Sequence, residues 1–178
     1  MGKRVLVSGD REWTDVELVR KWLRTLKKIG FSVLIEGEAR GADSIARDAG
    51  LNIGYEIMPF KAKWNQYSRT AGYIRNEQMI TIGCPNLILA FHNHIEISKG
   101  TKHMVYLGKK YGIRTILISE NNPGGDEEII TKRSEWECPI CHIKINKALH
   151  LAIEEHKKTH PNNQAAFNLE LSPKSEIK

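Results

Sequence analysis

Five short apolar runs, each followed by glycine or polar residues and separated by helical patterns, constrain this chain more than any other feature. They are "RVLVSG", "FSVLIEG", "YEIMPF", "NLILAF" and "RTILIS", all within residues 4–119. Several are continuously apolar rather than alternating, as parallel strands covered on both faces must be. Between them lie "TDVELVRKWLRTLKKIG", "ADSIARDAG", a helical span over about 70–82, and "KGTKHMVYLGKKYG". Right-handed crossovers turn that alternation into an α/β fold: a doubly wound, mostly parallel, Rossmann-like sheet of about five strands. Thr14 and Glu17 have capping-box spacing at the first helix, Val16, Val19, Leu23 and Leu26 form its apolar stripe, and Gly30 stops it. Gly50 is expected to end the second helix.

In doubly wound sheets ligands bind outside the carboxyl ends of the strands, near the point where strand order reverses. The residues that follow the strands are therefore the candidates for binding. "SGDREW" supplies Gly9, Asp10 and Arg11, and "EGEARGAD" supplies Gly37, Arg40, Gly41, Ala42 and Asp43. "YIRNEQM" adds Arg75 and Asn76, and "SKGTKHM" adds Gly100 and Thr101. Glycine lets backbone approach a ligand, helix N-termini present N–H groups to anions, and arginine pairs with phosphate in forked geometry. Each motif alone also reads as an ordinary turn; four at one sheet edge make the argument. Trp64, Tyr67 and Tyr73 either stack on a base or pack over the edge. His92 and His94 share a side if the chain stays extended, and either line the pocket or face solvent. Neither GxGxxG nor GxxxxGK[ST] occurs, which argues against an ordinary dinucleotide oxidoreductase and a nucleoside triphosphatase.

The motifs "VSGDREWTD", "IEGEARGADSIA", Trp64-x2-Tyr67 with "RNEQM", and "SKGTKHM" occur in that order. Together they resemble the YspA/YpsA-related branch of the SLOG superfamily, a Rossmann-like group named for its kinship to the cytokinin-activating LOG proteins. The likeness runs over about residues 3–119. It implies a pocket for nucleotides or nucleotide-derived molecules, ADP-ribose-like signals included, in a sensor, carrier or sequestering protein. Members commonly show Gly-Gly where this chain has Gly37-Glu38. The LOG enzymes, which hydrolyse the N-glycosidic bond of nucleoside monophosphates, carry PGG-x-GT-x2-E. Here "PGGDEE" lacks the Gly-Thr and reads as linker.

Glycosidic cleavage needs a carboxylate beside the developing oxocarbenium carbon. Glu36, Glu38, Asp10 and Asp43 are the candidates by position, against plainer roles for Asp43 as a helix N-terminal acid and for Glu36 as a ribose partner. An N-glycosidic hydrolase or transferase is thus the second reading. A third is a nucleic-acid-binding protein, because the net charge of +6 is concentrated: residues 1–125 hold 19 basic and 12 acidic side chains. The longest apolar run, "LILAF", is far short of a membrane span, and the chain enters a strand pattern directly, so a cytoplasmic protein is expected.

Residues 1–120 form the expected ligand-binding domain, 121–135 a linker, 136–160 a compact Cys/His module and 161–178 a mobile tail. Cys138, Cys141, His156 and His160 are spaced C-x2-C-x14-H-x3-H. Two thiolates on a knuckle and two imidazoles at i, i+4 can close a tetrahedral zinc shell, and structural zinc would supply the folding free energy of so short a segment. The span of 14 residues exceeds the usual 12 of a two-Cys, two-His finger. A single finger with a charge-balanced helix points to protein contact or self-association at least as much as to nucleic acid. Cys84 stands alone and reads as a small buried residue.

Overall fold

The computed structural model describes residues 2–128, 135–137 and 144–146. The chain divides into two compact units, Met1–Thr131 and Lys132–Lys178.

In the first unit all five expected strands form: β1 (Lys3–Gly9), β2 (Phe31–Glu36), β3 (Glu56–Pro59), β4 (Leu87–Phe91) and β5 (Arg114–Ile118). They are parallel and ordered β3-β2-β1-β4-β5. A sixth strand, β6 (Asp126–Glu128), pairs antiparallel with β5. The segment expected as linker therefore contributes a strand to the sheet. Its acidic triplet carries no apolar pattern, because an edge strand needs only backbone pairing on one side.

The helices are α1 (Val16–Lys28), α2 (Ala42–Ile53), α3 (Trp64–Tyr67), α4 (Ala71–Thr81) and α5 (Gly100–Lys110), with 3-10 turns at Ser68–Thr70 and Ile95–Ile97. Helix α1 packs on α2, and α4 on α5. Alternation along the strands divides the core between these pairs. Val5, Val7, Leu34, Leu87, Leu89 and Phe91 join Val19, Leu23 and Ala46 in one cluster. Leu6, Ile35, Ile88 and Ala90 are equally buried and outside it, as are Met79, Ile80, Met104 and Leu107 of α4 and α5. Both faces of the sheet are covered, which is why its strands read as unbroken apolar runs.

Two helix boundaries differ from expectation. The cap of α1 is Asp15, not Thr14: its Oδ1 accepts the Leu18 N–H at 2.8 Å, and Leu18 replaces Val16 in the buried stripe. Gly50 lies inside α2, where a Cβ would sit 2.6 Å from Leu34 Cδ2; Gly54, in the left-handed conformation, ends the helix. Gly50 is there for helix–sheet packing. Among the described residues no helix is long and apolar enough to cross a membrane.

In the second unit β7 (Glu135–Glu137) pairs antiparallel with β8 (Lys144–Asn146), placing Trp136 opposite Ile145. The expected zinc ligands Cys138, Cys141, His156 and His160, and residues 161–178, lie outside the described residues.

Candidate functional site

Strand order reverses between β1 and β4. Just past their carboxyl ends the Asp10 N–H donates to the Phe91 carbonyl at 2.8 Å and the His92 N–H to the Ile118 carbonyl at 2.9 Å. Beyond that point the chain leaves β1 for one helical layer and β4 for the other, and a cleft opens above the switch.

The cleft has two lobes that share Arg11, Ala39 and Arg75. The larger, about 520 Å³, lies over the switch and is bounded by Gly9, Asp10, Asp43, Asn76 and His92 on one side and Ser98–Thr101 on the other. The smaller, about 390 Å³, lies over β2 and β3 and is bounded by Gly37, Glu38, Arg40, Lys61 and Trp64. Of the expected binding residues, only Gly41 and Ala42 line neither lobe. Lys61 and Lys99 were missed, although the rule that selected the other motifs, position beyond a strand end, applies to both.

Gly41 and Ala42 instead lock the loop after β1 to the start of α2. Gly41 has φ +69°, and the Ala42 N–H donates to the Asp10 carbonyl at 3.0 Å. The first N–H of α2 thus joins two loops of the protein, so the anion-binding role expected for it is taken up internally. The Thr101 N–H likewise goes to Ser98 Oγ at 3.1 Å. Gly9 lacks a Cβ because one would lie 2.5 Å from the Ala42 Cβ and 2.6 Å from the Phe91 carbonyl oxygen.

Arg75 is the hub of the cleft. Its Nη1 donates to the Gly37 carbonyl and lies 3.8 Å from Asp43 Oδ2, and its Nε donates to Asn76 Oδ1 at 3.0 Å. Asn76, itself buried, donates to the Gly100 carbonyl at 3.2 Å and so ties α4 to the start of α5. A Cβ on Gly37 would run into the Arg75 guanidinium. Among the described residues Arg75 Nη2 has no protein partner. Burial lowers the Arg75 pKa, Asp43 opposes that, and nearby Arg11 lowers it further. Arg11 lies 5.9 Å from the Trp64 ring, a cation–π distance, which holds it at the junction of the lobes. Two guanidiniums that disfavour each other, one with donors to spare, form a site that an anion relieves. Arg40 turns outward instead, to Glu12 at 2.7 Å.

The four candidate carboxylates separate clearly. Asp43 is buried and accepts the Gly37 N–H at 3.0 Å; burial raises its pKa against the pull of Arg75 and of the Gly37 and Ala39 N–H groups. Glu38 lines the smaller lobe with φ +53°, left-handed backbone at the position where the resemblance has a second glycine. Asp10 faces the larger lobe, its Oδ1 taking the Glu12 N–H at 3.1 Å. Glu36 lines neither lobe. It lies on the same sheet face as Leu34, and its fully buried side chain turns toward Arg47 of α2, 3.7 Å away. Its Oε2 accepts the Glu38 N–H at 2.6 Å, bracing that left-handed residue, while Oε1 has no hydrogen-bond partner.

Burial is the first cause of a raised Glu36 pKa, with Asp43 and Glu38 adding to it. A carboxyl whose folded pKa is raised contributes stability that is present below the unfolded value and lost as pH rises through the folded one. Glu36→Gln is therefore expected to raise the melting temperature at pH 7, with the advantage shrinking as pH falls toward the ordinary value of 4.5 and gone below it. Melting curves of both proteins between pH 4 and 8 check this; an advantage independent of pH contradicts it.

His92 and His94 diverge: the first is buried against the larger lobe, the second projects with 70% of its side chain exposed. Of the aromatic candidates Trp64 alone lines the cleft. Tyr73 packs edge-on against His103 at 4.7 Å.

The YspA, cpYpsA-related SLOG family matches residues 3–67, from β1 through α3, taking in the first two strand-end motifs. This supports the SLOG branch that the motifs resemble. Among solved structures the chain is similar to DNA processing protein A (DprA) from Streptococcus pneumoniae, with a TM-score of 0.51 and 15% identity, over 86% of this chain and 56% of that one. The chain thus spans little more than half the length of that protein, and the likeness is one of fold. No curated protein matches the chain.

Proposed function

We propose that this chain binds a nucleotide or nucleotide-derived small molecule across the two lobes, as a sensor, carrier or sequestering protein. Phosphate sits at the Arg11–Arg75 junction and the nucleoside lies over the strand switch. The observation that carries this reading is the pair of guanidiniums shared by both lobes, directly above the point where doubly wound sheets take their ligands. Lys61 in the smaller lobe and Lys99 in the larger extend the cationic path in both directions.

The test is to incubate the protein with mononucleotides, cyclic nucleotides and ADP-ribose derivatives, denature it by heat and identify what returns to solution by mass spectrometry. A ligand captured and returned intact supports binding. One returned as base and sugar phosphate supports N-glycosidic hydrolysis, with Asp10 the carboxylate best placed for it. Arg11→Ala is expected to abolish capture while leaving the melting temperature unchanged, because Arg11 is exposed and, among the described residues, makes no buried ion pair. Undiminished capture by that variant contradicts the proposed phosphate position.

Nucleic-acid binding remains the third reading, favoured by the fold shared with a DNA processing protein and by the basic excess of residues 1–125. Single-stranded DNA therefore belongs in the panel. Phosphate-backbone binding falls steeply between about 50 and 200 mM salt. A flat or absent response disposes of it.

A further inference from the structure

We infer that Asp10 and His92 form a sugar-hydroxyl reader that makes the larger lobe selective for ribonucleotides, a refinement that rests on the nucleotide-binding reading above.

His92 Nδ1 accepts the backbone N–H of His94 at 2.9 Å. An acceptor nitrogen has its lone pair in that bond, so the neutral ring carries its proton on Nε2. The Nε2 atom lies 3.7 Å from Asp10 Oδ2. Asp10 in turn is oriented by the Glu12 N–H on its other oxygen, and its backbone is pinned to Phe91. The lobe wall thus presents one fixed donor and one fixed acceptor, side by side and too far apart to bond well to each other. A hydroxyl placed over both accepts from Nε2–H and donates to Oδ2. A phosphate oxygen cannot satisfy the pair, since it has no proton for the carboxylate and is repelled by it.

The location agrees with a sugar. The pair sits at the ends of β1 and β4, in the same lobe as Arg75, so a hydroxyl there belongs to a ligand whose phosphate reaches the guanidiniums. In many dinucleotide-binding sheets an acid later in the chain holds the ribose hydroxyls. The comparable carboxylate at the end of β2, Glu36, is sealed from the cleft and engaged with the Glu38 N–H. Asp10 takes over the task from the neighbouring strand.

The experiment is calorimetric titration of the full chain with ADP, 2′-deoxy-ADP and 3′-deoxy-ADP, repeated on Asp10→Asn and His92→Phe. Asp10→Asn retains the acceptor for the Glu12 N–H and removes only the one facing His92, so it preserves the loop even if His92→Phe disturbs it. In the parent protein at least one deoxy analogue is expected to bind about 10- to 100-fold more weakly than ADP, the range for a lost hydrogen bond to a charged group. In Asp10→Asn that preference collapses, ADP binding as weakly as the analogue. Equal affinity of all three nucleotides for the parent overturns the hydroxyl reader while leaving nucleotide binding intact, and so does a preference that survives in Asp10→Asn. Binding of none of the three overturns this reader of nucleoside diphosphates, while the capture panel decides the nucleotide reading separately.

Discussion

Gly41→Ala is expected to destabilise the fold by roughly 4 kcal/mol and to lower the melting temperature by about 10 °C. Two effects combine. Gly41 has φ +69° and ψ −124°, a region that residues with a Cβ scarcely enter, at a strain of about 1–3 kcal/mol. A Cβ there would also lie 2.2 Å from the Asp10 carbonyl oxygen and 2.6 Å from the Arg11 carbonyl carbon, both backbone atoms that cannot rotate away. To make room the loop after β1 must lift, which breaks the bond from the Ala42 N–H to the Asp10 carbonyl and moves Asp10 and Arg11 out of the cleft. Gly54→Ala is the control. Gly54 also has positive φ, at +87°, but nothing lies within 4 Å of its would-be Cβ, so the cost there is only about 1 kcal/mol. Thermal melts of the two variants separate backbone strain from collision. If Gly41→Ala melts where Gly54→Ala does, the loops after β1 and β2 are not locked together as described.

The strands were legible because both sheet faces are buried, so Leu6 and Val7 are equally apolar although they point to opposite helical layers. β6 was not legible, since an acidic edge strand leaves no hydrophobic trace. Asp15 capped α1 although Thr14 had the expected spacing; either of two oxygen-bearing residues in a row can accept the first free N–H groups, and only the backbone path selects one. Strand-end position located most of the cleft, because topology alone decides which residues gather above the switch. It could not tell Glu36 from Asp10. Both close an apolar run, yet the pleat turns Glu36, the last residue of β2, beneath α2 while the loop after β1 leaves Asp10 facing the lobe. Arg40 and Arg75 were equally plausible phosphate partners on paper. One has an exposed glutamate within reach, and the other is enclosed by the loop it supports.

That enclosure makes Arg75→Ala a stability variant before it is a binding variant, with an expected loss of about 3–5 kcal/mol at pH 7. The reason is what it leaves behind. Asp43 has 4% of its side chain exposed, and Arg75 is the largest of the influences that pull its burial-raised pKa back down. Without the guanidinium, burial is opposed only by the Gly37 and Ala39 N–H groups and by Arg11, and the Asp43 pKa rises further. Stability from such a group is present below its unfolded value, ordinarily 3.8, and is lost as pH rises through the folded one, so the deficit should shrink on acidification. Adding Asp43→Asn removes the stranded charge while retaining an acceptor for the Gly37 N–H, and is expected to recover part of the loss at pH 7. Arg75→Lys is expected to restore little, because one ammonium cannot meet the Gly37 carbonyl, Asp43 and Asn76 together. Denaturant titrations of the three variants at pH 5 and 7 provide the check. An Arg75→Ala protein within about 1 kcal/mol of the parent, or one that Asp43→Asn makes worse at pH 7, contradicts the buried pair. Arg11→Ala completes the contrast: with the guanidinium in the open half of the junction, its loss is expected to appear in ligand capture and not in melting.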